Sequence, residues 1–557
     1  MKTIYTSTVL SVLILLSTNA LSQSLPFITK WKTDNDGVSC NTCIEIPTRG
    51  TGYLYDIDWN NDGTYDDLGV TGNIGHNYEI PGVYEVAIRG EFPSIYFGTL
   101  SSQEVKDNEK LLDIIQWGDI PWQNLESAFQ DCTFLELTAI DAPDLTEVTS
   151  LARMFVRCEA LNADLNHWDV STITDMSSMF NNAVLFNGDI SDWDVSRVID
   201  FSWMFRSASS YSGNLSAWDV SSAMTFSGMF DKARIFNSDI SNWQVGNVLV
   251  MNWMFRDTDN FNADLNNWDV SELRSTLKMF ESAKAFNRDL NRWNVSKVNA
   301  MYGMFEDAEN FNGDISSWDV SSLTATWRMF KDAISFSGDL SSWDVSLVLD
   351  AHEMFSGAEN FNADISGWDV GSVWNMESMF EDAISFDQNL EQWNLSSVAD
   401  RDGFEHLFDN CGMSSGNYEA TLLGWGTNSA TPDNFILGSE NIKYCDEKGR
   451  NLLIGKGWDI IGDIKLVEQD GCFSSSIEVS NGFGFQIHPN PVVDLLVINS
   501  QAKSFDFQVF NANGIVIQAG RTDGQESKLN LQNIEAGLYF LKLFVGDDFL
   551  IRRFAKI

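Results

Sequence analysis

The chain has 557 residues, 44% of them hydrophobic, with 35 basic and 79 acidic side chains for a formal net charge of -44. That length calls for several domains, and that apolar content supplies cores, which excludes a chain disordered throughout. A surface this negative repels phosphate backbones and anionic lipid, so nucleic acid is excluded as an expected partner and neutral or cationic ligands are favoured.

Residues 1–22 carry an early Lys2, an apolar run from Val9 to Leu16, and the small residues Ala20 and Ser22 at cleavage spacing. They read as a signal peptide. The run is too short to span a bilayer and no later stretch reaches that length, so no transmembrane segment is expected.

Residues 23–108 alternate strand-like runs with Gly- and Asn-rich turns and are expected to form a β-sandwich. Within them Asp58, Asn60, Asp62 and Gly63 match the opening of a calcium loop, with Asp66 at the ninth position and Gly69 where a bidentate Glu belongs. Asp58, Asn60, Asp62 and Asp66 are therefore candidate metal ligands for Ca2+, the single cofactor candidate; the same letters also make a polar hairpin turn. The stretch "HNYEIPGVYEVAI" (His76 to Ile88) resembles the closing strands of polycystic-kidney-disease-type, immunoglobulin-like sandwiches. An exported chain with seven cysteines is expected to hold disulfides. Cys40 and Cys43 read as a local staple or two structural thiols, in preference to a redox pair, because no thioredoxin-like pattern surrounds them.

From Trp168 to Trp393 a Trp recurs every 25 residues, usually as Trp-Asp-Val. Such a period is the mark of a solenoid. Counting each Trp as offset zero, apolar residues at offsets 8, 11, 12 and 15 (Met176, Met179, Phe180 and Ala183) share one face of a short helix. Offsets 22, 0 and 2 (Ile190, Trp193, Val195) read as the strand of a leucine-rich repeat. The fold class expected is a mixed repeat protein: a leucine-rich-repeat-like solenoid over residues 109–465, each rung a short parallel strand plus a short helix, with degenerate capping units and flanking all-β sandwiches.

The Asp residues after each Trp (Asp169, Asp194, Asp219) and before the next strand (Asp189, Asp239, Asp364) read as acceptors of turn amides in preference to cation ligands, since Asn replaces them at Asn214 and Asn294. Cys132 and Cys158 occupy equivalent places in adjacent units, where a disulfide between rungs is conceivable. Offsets 9 and 10 point away from the apolar face and vary, holding Trp203, Trp253, Tyr302 and Trp327, the candidate ligand-binding residues. Trp203 and Trp253 stand two units apart, roughly 10 Å at strand spacing. Aromatics there anchor a ligand, or else pack between rungs.

Residues 466–482 have linker composition, and residues 483–557 alternate as a small all-β sandwich with a turn at Asn513-Gly514. The unit "FNxDISxWDVSxVxxMxxMFxxAxx" resembles the BspA-like leucine-rich-repeat surface proteins, over roughly residues 110 to 465. The end, with Pro489 to Pro491, "GLY" at Gly537 to Tyr539 and a basic tail through Lys556, resembles a type IX secretion C-terminal sorting domain. These resemblances imply passage through the outer membrane by the type IX machinery, a secreted or surface-anchored product, and adhesion among the uses of the repeat.

No catalytic residues are assigned. The five His are scattered without a zinc motif, and "GMSSG" (Gly412 to Gly416) lacks the strand-and-helix setting of a nucleophile elbow. The expected function is an exported binding or adhesion protein whose solenoid presents a variable face to an extracellular glycan or to a host or neighbouring-cell protein. The alternatives are a secreted glycan-active hydrolase and a structural surface-layer component.

Overall fold

In a computed structural model of the protein, the described residues are 24–98, 106–466, 485–488, 494–500, 504–511, 515–524, 526–545 and 548–556. The expected signal peptide, nearly all of the linker, Pro489 to Pro491 and the Asn513-Gly514 turn lie outside them. The chain divides into two units, Met1–Leu323 with Asp332–Phe336, and Thr324–Lys331 with Ser337–Ile557.

The first unit opens with strands β1 (Phe27–Lys32), β2 (Cys43–Ile46), β3 (Leu54–Asp58), β4 (Asp67–Val70), β5 (Ile74–Asn77), β6 (Val83–Glu91), β7 (Leu111–Gln116) and β8 (Glu136–Leu137). Six of them form a sheet in the order β4-β3-β6-β1-β7-β8, while β2 pairs with β5. Alternation in β1 sends Phe27, Thr29 and Trp31 inward and their neighbours outward, the period-2 signature of a strand with one buried face. Phe27 stacks on Trp117 and meets Trp122 edge-on, so the sheet's core is continuous with the first residues of the repeat region. The β7–β8 pairing, unlike the others in this sheet, is parallel. Cys40 and Cys43 form a disulfide.

The repeats overturn the expected fold class. Among the described residues the α-helices lie at Ser415–Thr427 and Lys448–Gly455, and the sheets are mostly small and antiparallel; the leucine-rich-repeat-like solenoid of strands and helices does not form. The segment expected to be helical is a chain of tight turns. In the repeat of Trp193, the amides of Met204, Arg206 and Ala208 donate to the carbonyls three residues back, of Phe201, Trp203 and Phe205. The alternate amides of Trp203, Phe205 and Ser207 donate to Ser227, Met229 and Asp231, in the next repeat. Trp203 and Ser207 make this possible by adopting left-handed backbone, with φ of 61° and 56°, and the same two positions do so in repeat after repeat. A right-handed helix cannot contain such residues. The expected strand is also missing, and parallel pairing survives as single-residue bridges elsewhere in the unit, such as Asp175 with Asp200 and Asp200 with Thr225.

The apolar letters nonetheless point inward. Phe201, Met204, Phe205 and Ala208 are fully buried. From Trp193 to Trp318 each Trp ring lies on its equivalent in an adjacent repeat, 6.4 Å between centroids for Trp243 and Trp268, and its indole N–H donates to a carbonyl of the preceding repeat, as Trp243 does to Leu215. Trp168 instead meets Trp117 edge-on, and its buried indole N–H has no partner among the described residues. Cys132 and Cys158 are buried free thiols and not a disulfide, and burial pushes both well above the ordinary thiol pKa.

The repeated Asp residues close turns. Asp169 Oδ1 accepts from the hydroxyl and amide of Ser171, and Asp364 Oδ1 does the same with Ser366. The Ser hydroxyl bond, then the amide bond, lowers each carboxyl below its ordinary value. A depressed folded-state pKa stabilises the fold above the unfolded value of about 4, and that contribution is lost as pH falls through the folded value. Urea unfolding midpoints are therefore expected to drop as pH falls below about 4; midpoints that keep rising below that pH would contradict the turn assignment.

In the second unit the repeats end at α1 (Ser415–Thr427), β9 (Ile436–Gly438), β10 (Lys443–Tyr444), α2 (Lys448–Gly455), β11 (Asp459–Ile461) and β12 (Ile464–Lys465). Trp425 of α1 donates its indole N–H to the carbonyl of Leu390, the role a repeat Trp would take there, and so covers the last apolar surface. The remaining strands are β13 (Phe485–His488), β14 (Leu495–Ser500), β15 (Ser504–Asn511), β16 (Val516–Asp523), β17 (Glu526–Asn530), β18 (Gly537–Val545) and β19 (Asp548–Lys556). They make a three-stranded sheet, β13-β14-β17, and a four-stranded sheet, β16-β15-β18-β19, with Leu496, Ile498, Val509, Leu541 and Phe554 in their core.

Candidate functional site

Because the turn amides hold each repeat to the next, side chains at offsets 9, 10, 13 and 14 form rows along the outside of the turns. In the first unit these rows bring Trp203 and Trp253 together. Their ring centroids are 5.6 Å apart although a whole repeat separates them, much closer than strand spacing implied. The reason is the residue between them, Gly228, whose φ is +60°. A Cβ there would stand 2.0 Å from the Trp203 ring, so the missing side chain is the space the indole occupies.

Charged groups surround this pair. Asp231, fully buried, accepts from Arg256 Nε at 2.7 Å and Nη2 at 3.0 Å, and from Arg206 Nε at 3.1 Å. That clamp is bidentate on the Arg256 side and ties both guanidinium groups to one carboxylate. Arg206 also lies over the Trp203 ring, 5.2 Å from its centroid. Trp203 and Trp253 are partly exposed, so they are both packed against one another and open to solvent.

The other two aromatic candidates do not join them. Tyr302 faces the ammonium of Lys278 at 5.9 Å, and Lys278 in turn binds Glu306 at 2.9 Å. Trp327, in the second unit, lies 4.9 Å from the His352 ring and 5.8 Å from Arg328. The basic members of these rows were not singled out from the sequence. The available signal was that basic residues recur at offsets 10, 13 and 14 of an otherwise acidic repeat region.

The four metal candidates stand in the loop after β3. Asp58, buried, accepts from the amides of Asn60, Asp62 and Gly63; Asp62 accepts from the amide of Thr64, and Asp66 from that of Trp59. Among the described residues no three His, Cys, Asp or Glu side chains converge as metal ligands. The carboxylates thus already work as turn acceptors, and Ca2+ at this loop is a proposal decided by whether millimolar Ca2+ raises the melting transition of this sheet. Ser414, the middle residue of the G-x-S-x-G match, caps α1 by accepting from the amide of Asn417.

Two family models match the chain, one over the repeats and one over the C-terminal strands. The family model described as "Mycoplasma protein of unknown function, DUF285" matches residues 123–234, 212–318 and 300–420, together more than half of the chain. The model described as "Secretion system C-terminal sorting domain" matches residues 486–556. No curated protein matches the chain. The sorting domain makes this a secreted or outer-membrane-surface protein and makes the type IX secretion machinery its partner in export. Among the described residues no helix is long and apolar enough to cross a membrane.

Proposed function

We propose a recognition function for this chain, which belongs to the DUF285 family and carries a secretion system C-terminal sorting domain. It is an extracellular binding protein that attaches to a glycan or to a protein of a host or neighbouring cell, and it is not an enzyme. The observation that carries the reading is the row at offset 10. Buried positions repeat almost letter for letter, while this outward row changes from Ser178 to Trp203, Gly228, Trp253 and Lys278, and places two indoles side by side at the surface. Partly exposed aromatic pairs flanked by arginine are the composition of binding hot spots. The likeness of the repeat to BspA-like surface proteins, some of which are adhesins, supports attachment as the use of that surface.

Replacing Trp203, Trp253 and Trp327 by Ser is expected to abolish attachment to the natural surface while leaving the near-UV spectrum of the buried tryptophans unchanged. Hot-spot truncations cost about 2 kcal/mol or more each, a loss of some tenfold to hundredfold in affinity. Full attachment by a folded triple variant would refute the assignment, and turnover of a glycan by the purified protein would replace it with a hydrolase.

A further inference from the structure

The outward rows of the early repeats hold more basic than acidic residues, the reverse of the whole protein. Screening limits electrostatic attraction to about 8 Å at physiological ionic strength, so a ligand at the surface feels the nearby groups before the net charge of -44. From the repeat of Arg153 to that of Arg256, the outward rows hold Arg153, Arg157, Arg206, Lys232 and Arg256 against Asp231 and Asp257. Asp231 is buried and used by two of the arginines, and Arg256 also reaches Glu281 of the next repeat at 3.8 Å. Arg157 is paired with Asp131, yet its side chain remains 57% exposed. Arg153 and Lys232 are exposed and, among the described residues, have no carboxylate partner. One repeat further on the sign reverses, where Lys278 meets Glu281 and Glu306.

The order of chemistry along these rows is as informative as its sign. Arg153 and Arg157 come first, then the small polar residues Ser178, Asn181 and Asn182, then the indoles of Trp203 and Trp253 with Lys232 between them. We propose that this half of the surface binds an acidic glycan, a polysaccharide bearing carboxylate groups. This rests on the recognition reading above and adds the ligand class to it. Guanidinium and ammonium groups take the carboxylates, Ser and Asn side chains take hydroxyls, and the indole surface takes the apolar face of a sugar ring. A nucleic acid offers rings and anions too, but it lacks the run of sugar-ring hydroxyls that the Ser and Asn side chains between the arginines and the indoles would take.

The experiment measures binding of the secreted protein to polygalacturonate, to neutral dextran and to a single-stranded oligonucleotide, each at low and high salt. Polygalacturonate is expected to bind, to weaken with salt, and to bind about tenfold more weakly to the Arg153→Glu, Lys232→Glu double variant, two exposed charge reversals that leave the core untouched. Dextran and the oligonucleotide are expected not to bind. Equal binding by the double variant, preference for dextran or for the oligonucleotide, or no binding of polygalacturonate overturns the acidic-glycan inference. The recognition reading is judged separately: if the triple tryptophan variant still loses attachment to the natural surface, that reading stands while this one falls.

Discussion

Trp268→Ala is expected to destabilise the repeats by about 3–5 kcal/mol, one of the two largest effects of any single substitution considered for this protein. Trp268 is 2% exposed and lies 6.4 Å from the rings of Trp243 and Trp293 on its two sides. Its indole N–H donates to the carbonyl of Ile240 at 3.0 Å. Truncation therefore opens a cavity between two indoles that backbone bonds hold at fixed spacing, and it removes one of two hydrogen bonds on the Ile240 carbonyl, which keeps the one from the amide of Trp243. The comparison is Trp374→Ala, whose side chain is 44% exposed and whose removal should cost under about 1 kcal/mol. Chemical denaturation of the two variants measures both. Equal midpoints would mean that the periodic Trp is not a packing residue.

Lys110→Ala is expected to cost about as much, about 3–5 kcal/mol, in the N-terminal sheet. Lys110 is fully buried, and its ammonium donates to the carbonyls of Ser39, Cys40 and Cys43 and to the Ser39 hydroxyl, with Asp107 3.7 Å away. Asp107, also buried, accepts from the amides of Ser39 and Glu45 and from the Ser39 hydroxyl. One ion pair thus fastens the Cys40–Cys43 loop to the segment before β7. Removing the cation leaves three carbonyls and a carboxylate buried without it, which is costlier than removing both charges. The double variant Lys110→Met, Asp107→Asn should accordingly melt at a higher temperature than Lys110→Ala. The reverse order would show that the pair is not what holds this loop.

The sequence by itself determined the repeat period, the buried set and the chemistry of the turns. A core position must be apolar whatever the backbone does, so Phe201, Met204, Phe205 and Ala208 were legible as core, and all are fully buried. Asp followed two residues later by Ser is a local turn interaction, and Asp169 with Ser171 forms it without help from the rest of the fold.

Only the tertiary structure decided the backbone between those positions. Spacing of i, i+3, i+4 and i+7 is shared by an amphipathic helix and by successive three-residue turns that bury the same side chains. The choice falls to hydrogen bonds between repeats, because alternate amides such as those of Trp203 and Ser207 find carbonyls in the next repeat once the residue adopts left-handed backbone. One hint was present in the letters: Asn182, Asp257 and Asp307 occupy a left-handed position, and Asn and Asp tolerate that conformation better than other residues with a side chain.

The candidate site divides in the same way. That Trp203 and Trp253 point outward followed from their offset in the repeat. Their contact did not, since it depends on Gly228 in the intervening repeat leaving a space of indole size. Nor did the local positive charge, because net charge sums over the whole chain, whereas a ligand responds to the groups that folding places within a screening length of it.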